Sequence, residues 1–73
     1  MTKYIMRFNS NTVSLAWEYH YEMSSDKLAL DYACRHAILL AQDLAVFKQE
    51  IDDEYSFLGE IITNTQTTAR IVS

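Results

Sequence analysis

Three groups of side chains in this sequence are of types that could do chemistry. The first is Asp52-Asp53-Glu54, the densest charge in the chain. Consecutive carboxylates suit contact with a basic protein surface, or mimicry of phosphate charge. The run also reads as a solvated loop, because short charge runs usually only keep a surface wet. It lacks the alternating spacing and the Gly of a calcium loop. The second group is His20, Cys34 and His36, the soft-metal ligand types. Residues two apart on a helix point about 200° away from each other, so one metal cannot bridge Cys34 and His36. No fourth ligand is in prospect, and no metal or other cofactor is expected. The third group is Cys34 with His20 and Glu22, the right types for a nucleophile, a base and an orienting acid. Nothing in their spacing brings them together, and no Gly-rich turn could form an oxyanion hole. A short chain also leaves little room for a substrate pocket. The sequence is therefore read as non-enzymatic.

The chain has 73 residues, a net charge of −4 and a hydrophobic fraction of 49%. That is one domain spanning residues 1–73, near the lower size limit for a core without staples. A single cysteine cannot form an internal disulfide, which fits a reducing, cytoplasmic setting. The start Met1-Thr2-Lys3-Tyr4 is not that of a signal peptide, and no apolar run is long enough to span a membrane. A complete, stand-alone cytosolic product is the expectation. An acidic chain repels the nucleic acid backbone, so direct DNA or RNA binding is disfavoured. Trp17, Tyr19 and Tyr21 could stack bases, but their period assigns them to the core.

The elements that position these residues begin with alternation. Val13 to Met23 alternates apolar and polar without a break, which marks a strand with one dry and one wet face. Lys3 to Phe8 reads as its partner, closed over Asn9-Ser10-Asn11-Thr12. That register places Phe8 opposite Val13, Met6 opposite Leu15, Tyr4 opposite Trp17 and Lys3 opposite Glu18. Ser24-Ser25-Asp26 offers helix N-caps. Leu30, Ala33, Ala37, Leu40, Leu44, Phe47 and Ile51 then recur at helical spacing, predicting a helix from Ser25 to Gln49. Asp31 and Arg35 form a favourable i,i+4 pair on it. Glu60 to Thr63 and Thr68 to Val72 read as a second hairpin around Asn64-Thr65-Gln66-Thr67. The expected fold is α+β: a ββαββ two-layer sandwich, with one long helix on a four-stranded antiparallel sheet. The alternative lets Tyr55 to Leu58 pair as a fifth strand. The length of Val13–Met23 favours seating the C-terminal hairpin beside the second strand.

Two surfaces emerge as candidate interfaces. The helix carries a second apolar line, Tyr32, Leu39 and Val46, with Gln42, Asp43 and Glu50 as its polar rim. Either this strip binds a partner or a second copy, making a homodimer, or the helix lies deep under the loop Tyr55 to Leu58. The uncovered sheet face would carry Lys3, Arg7, Glu18, His20 and Glu22 around Ile5 and Ala16. Edge strands without Pro could also pair with another chain.

The short acidic chain, the hairpin Lys3–Trp17, the helix Ser25–Gln49 and the cluster Asp52-Asp53-Glu54 resemble, in format, the small α+β proteins of phages and mobile elements, above all the anti-CRISPR inhibitors. The resemblance implies a cytoplasmic, non-enzymatic inhibitor that covers a basic, nucleic-acid-handling surface of a Cas effector. Asp43, Glu50, Asp52, Asp53 and Glu54 would then make the contact. No functional residue is carried over from the family, whose members share size and habit rather than sequence.

Overall fold

The computed structural model describes residues 1–9, 17–52, 54–65 and 68–72. The chain is α+β, with one helix lying on one face of an antiparallel sheet. The elements are β1 (Thr2–Phe8), β2 (Glu18–Met23), α1 (Asp26–Leu40), β3 (Leu44–Ile51), β4 (Glu54–Thr65) and β5 (Thr68–Val72). Among the described residues the sheet has five strands, not four, in the order β2-β1-β3-β4-β5. The C-terminal hairpin, β4 and β5, joins neither of the first two strands; it pairs with β3, which itself lies beside β1.

Alternation sets the faces of β1 and β2. Tyr4, Met6 and Tyr21 turn to the helix, while Ile5 and His20 pair on the other side. The register differs from the one the hairpin turn suggested. Tyr4 pairs with Tyr21 rather than Trp17, and Lys3 with Glu22 rather than Glu18. A slip of four residues keeps every side chain on its face, so hydrophobicity cannot distinguish the two registers. Charge can: the observed register sets both Lys3–Glu22 and Arg7–Glu18 across from each other. Met6 likewise pairs with Tyr19 rather than Leu15. Val13, and the expected turn beyond Asn9, lie outside the described residues.

The helix starts as expected. The Ser25 hydroxyl accepts a hydrogen bond from the Leu28 N–H at 3.2 Å, and Asp26 sits in the first turn. It ends nine residues earlier than the apolar spacing suggested. Ala41 takes a left-handed conformation at φ 53°. The Gln42 N–H then donates to the Ala37 carbonyl at 3.2 Å, and the Ala41 N–H to Ile38 at 3.3 Å. This pair of bonds satisfies the last carbonyls and turns the chain back toward the sheet. Ala29, Ala33 and Ala37 are fully buried, one helical turn apart, so the helix seats closely on the strands.

Leu44, Phe47 and Ile51 therefore belong to β3, not to the helix. Leu44 and Val46 are fully buried and form the core with Tyr4, Met6 and Ile61. Burying each such side chain is worth about 1.5–3 kcal/mol. Tyr55 to Leu58 is the first half of β4, a long strand that continues through Thr65. Val46 pairs with Gly59 and Phe47 with Phe57, so Leu58 is the extra residue of a β-bulge. The bulge turns Leu58 toward the core and sends Phe57 to the opposite face. Gly59 fits under the helix, where a Cβ would lie 3.2 Å from Leu30 Cδ2.

Candidate functional site

The helix covers one face of the sheet, and among the described residues no element covers the other, here called the bare face. The registers assign the bare face row by row. One row reads Glu18, Arg7, Ala45, Glu60 and Val72 across the five strands. The next reads His20, Ile5, Phe47 and Phe57. Gln49 and Tyr55 pair in the row beyond, which also holds Lys3 and Glu22. Ile62 and Arg70 close the other end.

This face is apolar at its centre and charged at its rim. Ile5 and Ala45 are buried among their neighbours, whereas Phe57 is 56% exposed. Phe47 and Phe57 meet edge to face, their ring centroids 5.8 Å apart. The Arg7 guanidinium lies over the Phe47 ring at 5.4 Å, a cation–π contact. A shallow depression of about 450 Å³ opens among Ile5, Arg7, Glu18, His20, Phe47 and Tyr55. A second of about 350 Å³ adjoins it beside Lys3, Glu22 and Gln49. Glu18 approaches His20 at 3.5 Å, and both side chains are well exposed. Such a pair contributes little to stability. Among the described residues, Lys3, Arg7, Glu22, Glu60 and Arg70 have no ion-pair partner.

Lys3, Arg7, Glu18, His20, Glu22 and Ile5 thus share the face that alternation assigned them, while Ala16 lies outside the described residues. The centre of that face was missed. Ala45 and Phe47 fall in the segment read as helix, and Tyr55 and Phe57 in one read as loop or as a further strand.

The acidic residues are divided. Asp43 lies just before β3, where its carboxylate accepts from the Thr63 N–H and hydroxyl, each at 2.9 Å. It ties β4 to the start of β3. Glu50, Asp52 and Glu54 sit at the opposite end of β3, roughly 25–30 Å away by the rise of a strand. There they form the exposed β3–β4 turn, with Asp52 left-handed at φ 52° and the Gln49 amide donating to its carbonyl. Asp53 lies outside the described residues. Asp52 and Glu54 thus lie where β3 gives way to β4, and not at the end of a helix.

The expected apolar strip on the helix does not form. Val46 is fully buried in β3, Leu39 is 81% exposed on α1, and Tyr32 packs against the core. Gln42 and Asp43 lie beyond the helix end, and Glu50 is in β3, so no polar rim surrounds the strip. The strip relied on a helix that continued past Leu40. Tyr55 to Leu58, read either as a loop over the helix back or as a further strand, is in a strand, the first part of β4.

His20 lies on the bare face, whereas Cys34 and His36 lie on α1 in the other layer. The His36 ring nitrogen is 3.2 Å from the Tyr32 carbonyl. Burial pushes the Cys34 thiol up, with Asp31 adding to the shift, so the nucleophilic thiolate is disfavoured. Among the described residues no three His, Cys, Asp or Glu side chains converge as a metal site. Trp17, Tyr19 and Tyr21 stack along the helix side, where Tyr19 also stacks on His36 at 5.3 Å.

One polar network fixes the helix to the sheet. The Tyr4 hydroxyl donates to Asp26 Oδ1 at 2.7 Å, and Lys48 Nζ lies 3.3 Å from the same oxygen. The Tyr4 hydroxyl bond, and then Lys48, hold the Asp26 carboxyl below its usual range. Burial, with Asp26 beside it, raises Tyr4. Tyr21, buried and donating to the Ala29 carbonyl at 2.9 Å, is also raised.

Comparison with protein families, with characterised proteins and with solved structures finds no match to this chain. Among the described residues no helix is long and apolar enough to cross a membrane.

Proposed function

We propose that this chain is a small non-enzymatic protein-binding module whose contact surface is the bare face of the sheet. The observation that carries the reading is the aromatic centre, a half-buried Phe47 beside an exposed Phe57, edged by Arg7, Glu18, His20 and Glu60. An apolar centre with a charged rim is the anatomy of a protein interface. Arginine and aromatic residues are the side chains that carry most binding energy there. The bulge at Leu58 supports the reading, because it aims Phe57 away from the core at the expense of regular pairing.

A second reading rests on the exposed acidic turn of Glu50, Asp52 and Glu54. It suits a partner with a basic surface, and it is the contact that an inhibitor of a CRISPR effector would use. One experiment separates the two. The tagged wild type, Phe47→Asp, and a charge reversal of Asp52-Asp53-Glu54 are each tested for capture of a stoichiometric partner. Loss only in Phe47→Asp supports the bare face. Loss only in the charge reversal transfers the function to the acidic turn and refutes the face.

A further inference from the structure

We infer that the occupant of the bare face is a second copy of this chain, packed sheet against sheet about a two-fold axis that runs along β3. This rests on the reading of that face as a docking surface. The charge pattern and the aromatic centre together select the geometry. A two-fold axis along β3 reflects the strand order, so β1 faces the partner's β4 and β3 faces itself. Position along the strand is kept. Arg7 then meets the partner's Glu60, because both lie in the row that passes through Ala45. The contact occurs twice. Ile5 meets the partner's Phe57 in the next row, also twice, and Phe47 packs on its own copy at the axis.

The other arrangements are worse. An axis across the strands through the Ile5–Phe47 row would place Arg7 over the partner's Lys3, and Glu18 over its Glu22. An axis along β1 would set Arg7 against itself. Like charges at such distances oppose association. An axis between β1 and β2 would set Arg7 over the partner's Glu18 and Lys3 over its Glu22, but it would leave Phe47 and Phe57 uncovered. The axis along β3 both covers that aromatic centre and pairs opposite charges, two that have no ion-pair partner among the described residues of the free chain. Sheets pack about 10 Å apart, a gap that facing Arg and Glu side chains can span.

The area sets the strength. Five strands about 4.8 Å apart, each contributing about 20 Å of length, give roughly 400 Å² of flat footprint per protomer. The accessible surface removed from two such pleated faces falls near the lower bound of about 1,000 Å² for a specific interface. The dimer is therefore reversible and dependent on concentration.

Sedimentation equilibrium tests this with the wild type, Arg7→Glu, Glu60→Arg and an equimolar mixture of the two variants. The wild type should dimerise reversibly. Each variant alone should dissociate about tenfold more readily or worse, since each brings like charges together twice. The mixture should recover the wild-type affinity as a heterodimer, because Glu at one 7 position meets Arg at the other 60. Circular dichroism confirms that both variants are folded. A wild type monomeric up to about 1 mM overturns the self-docking and leaves the face to a different protein. A dimer indifferent to both substitutions places association elsewhere, such as the β5 edge, and overturns the face as well. A mixture no tighter than the single variants overturns the axis along β3.

Discussion

Replacing Tyr4 with Phe removes one oxygen from a buried strand residue and should loosen the seat of the helix. The hydroxyl is fully buried in effect, the residue being 1% exposed, and it donates to Asp26 at 2.7 Å. A hydrogen bond to a charged acceptor contributes about 1.5–3 kcal/mol. The Asp26 side chain is 44% exposed and keeps Lys48, so water and the ammonium compensate for part of the loss. The expected cost is therefore about 1–1.5 kcal/mol, or about 5–10 °C in Tm for a domain of this size. The pH dependence identifies the cause. Asp26 has a depressed folded pKa, so its stabilisation is present above the unfolded value and is lost as pH falls through the lower folded value. The window lies below about pH 4. Urea denaturation of both proteins at neutral pH and again near pH 2 measures the difference. The penalty of Tyr4→Phe should shrink at the acid end, where the carboxylate is protonated in both states. A variant as stable as wild type at neutral pH would refute the reasoning. So would a penalty unchanged on acidification, which would assign the loss to packing.

Three further outcomes follow from the same contacts. Ala41→Gly should stabilise the fold by about 0.5–1 kcal/mol, since the left-handed helix stop disfavours any Cβ, and the urea midpoint should rise at constant slope. Asp43→Ala should cost about 1–2 kcal/mol by removing both bonds to Thr63, and hydrogen exchange should accelerate at the Thr63 amide first. Tyr4 and Tyr21 have raised folded pKa values, so their contribution is full below the unfolded value and is lost as pH rises through the folded ones. Alkaline unfolding should set in above about pH 10, with both phenols ionising as the near-UV signal collapses.

Alternation made the faces of β1 and β2 legible, and the Ser25 cap and alanine face of α1 could also be read locally. What failed was the segment from Ala41 to Leu58. No Gly marks the helix stop, because an alanine takes the left-handed position. Ala45 and Phe47 are apolar on the solvent side of β3, so Leu44, Ala45, Val46 and Phe47 do not alternate and pass for a helical stripe. Tyr55 and Phe57 disguise β4 in the same way, and the bulge at Leu58 breaks its parity. The residues that hid these strands are the ones that form the apolar centre of the bare face. Local rules are expected to fail where a surface is kept for binding rather than for folding. Register was out of reach for a simpler reason: even slips leave hydrophobic parity unchanged.

The most direct test of the bare face as the working surface is to follow backbone and methyl NMR shifts while the protein is diluted from about 1 mM to about 10 μM, a range that spans weak association. The signals of Ile5, Ala45, Phe47, Phe57 and Glu60 should move together along one binding curve, with α1 unaffected. Shifts confined to Leu39 and Leu40, or to the β5 edge, would contradict the account.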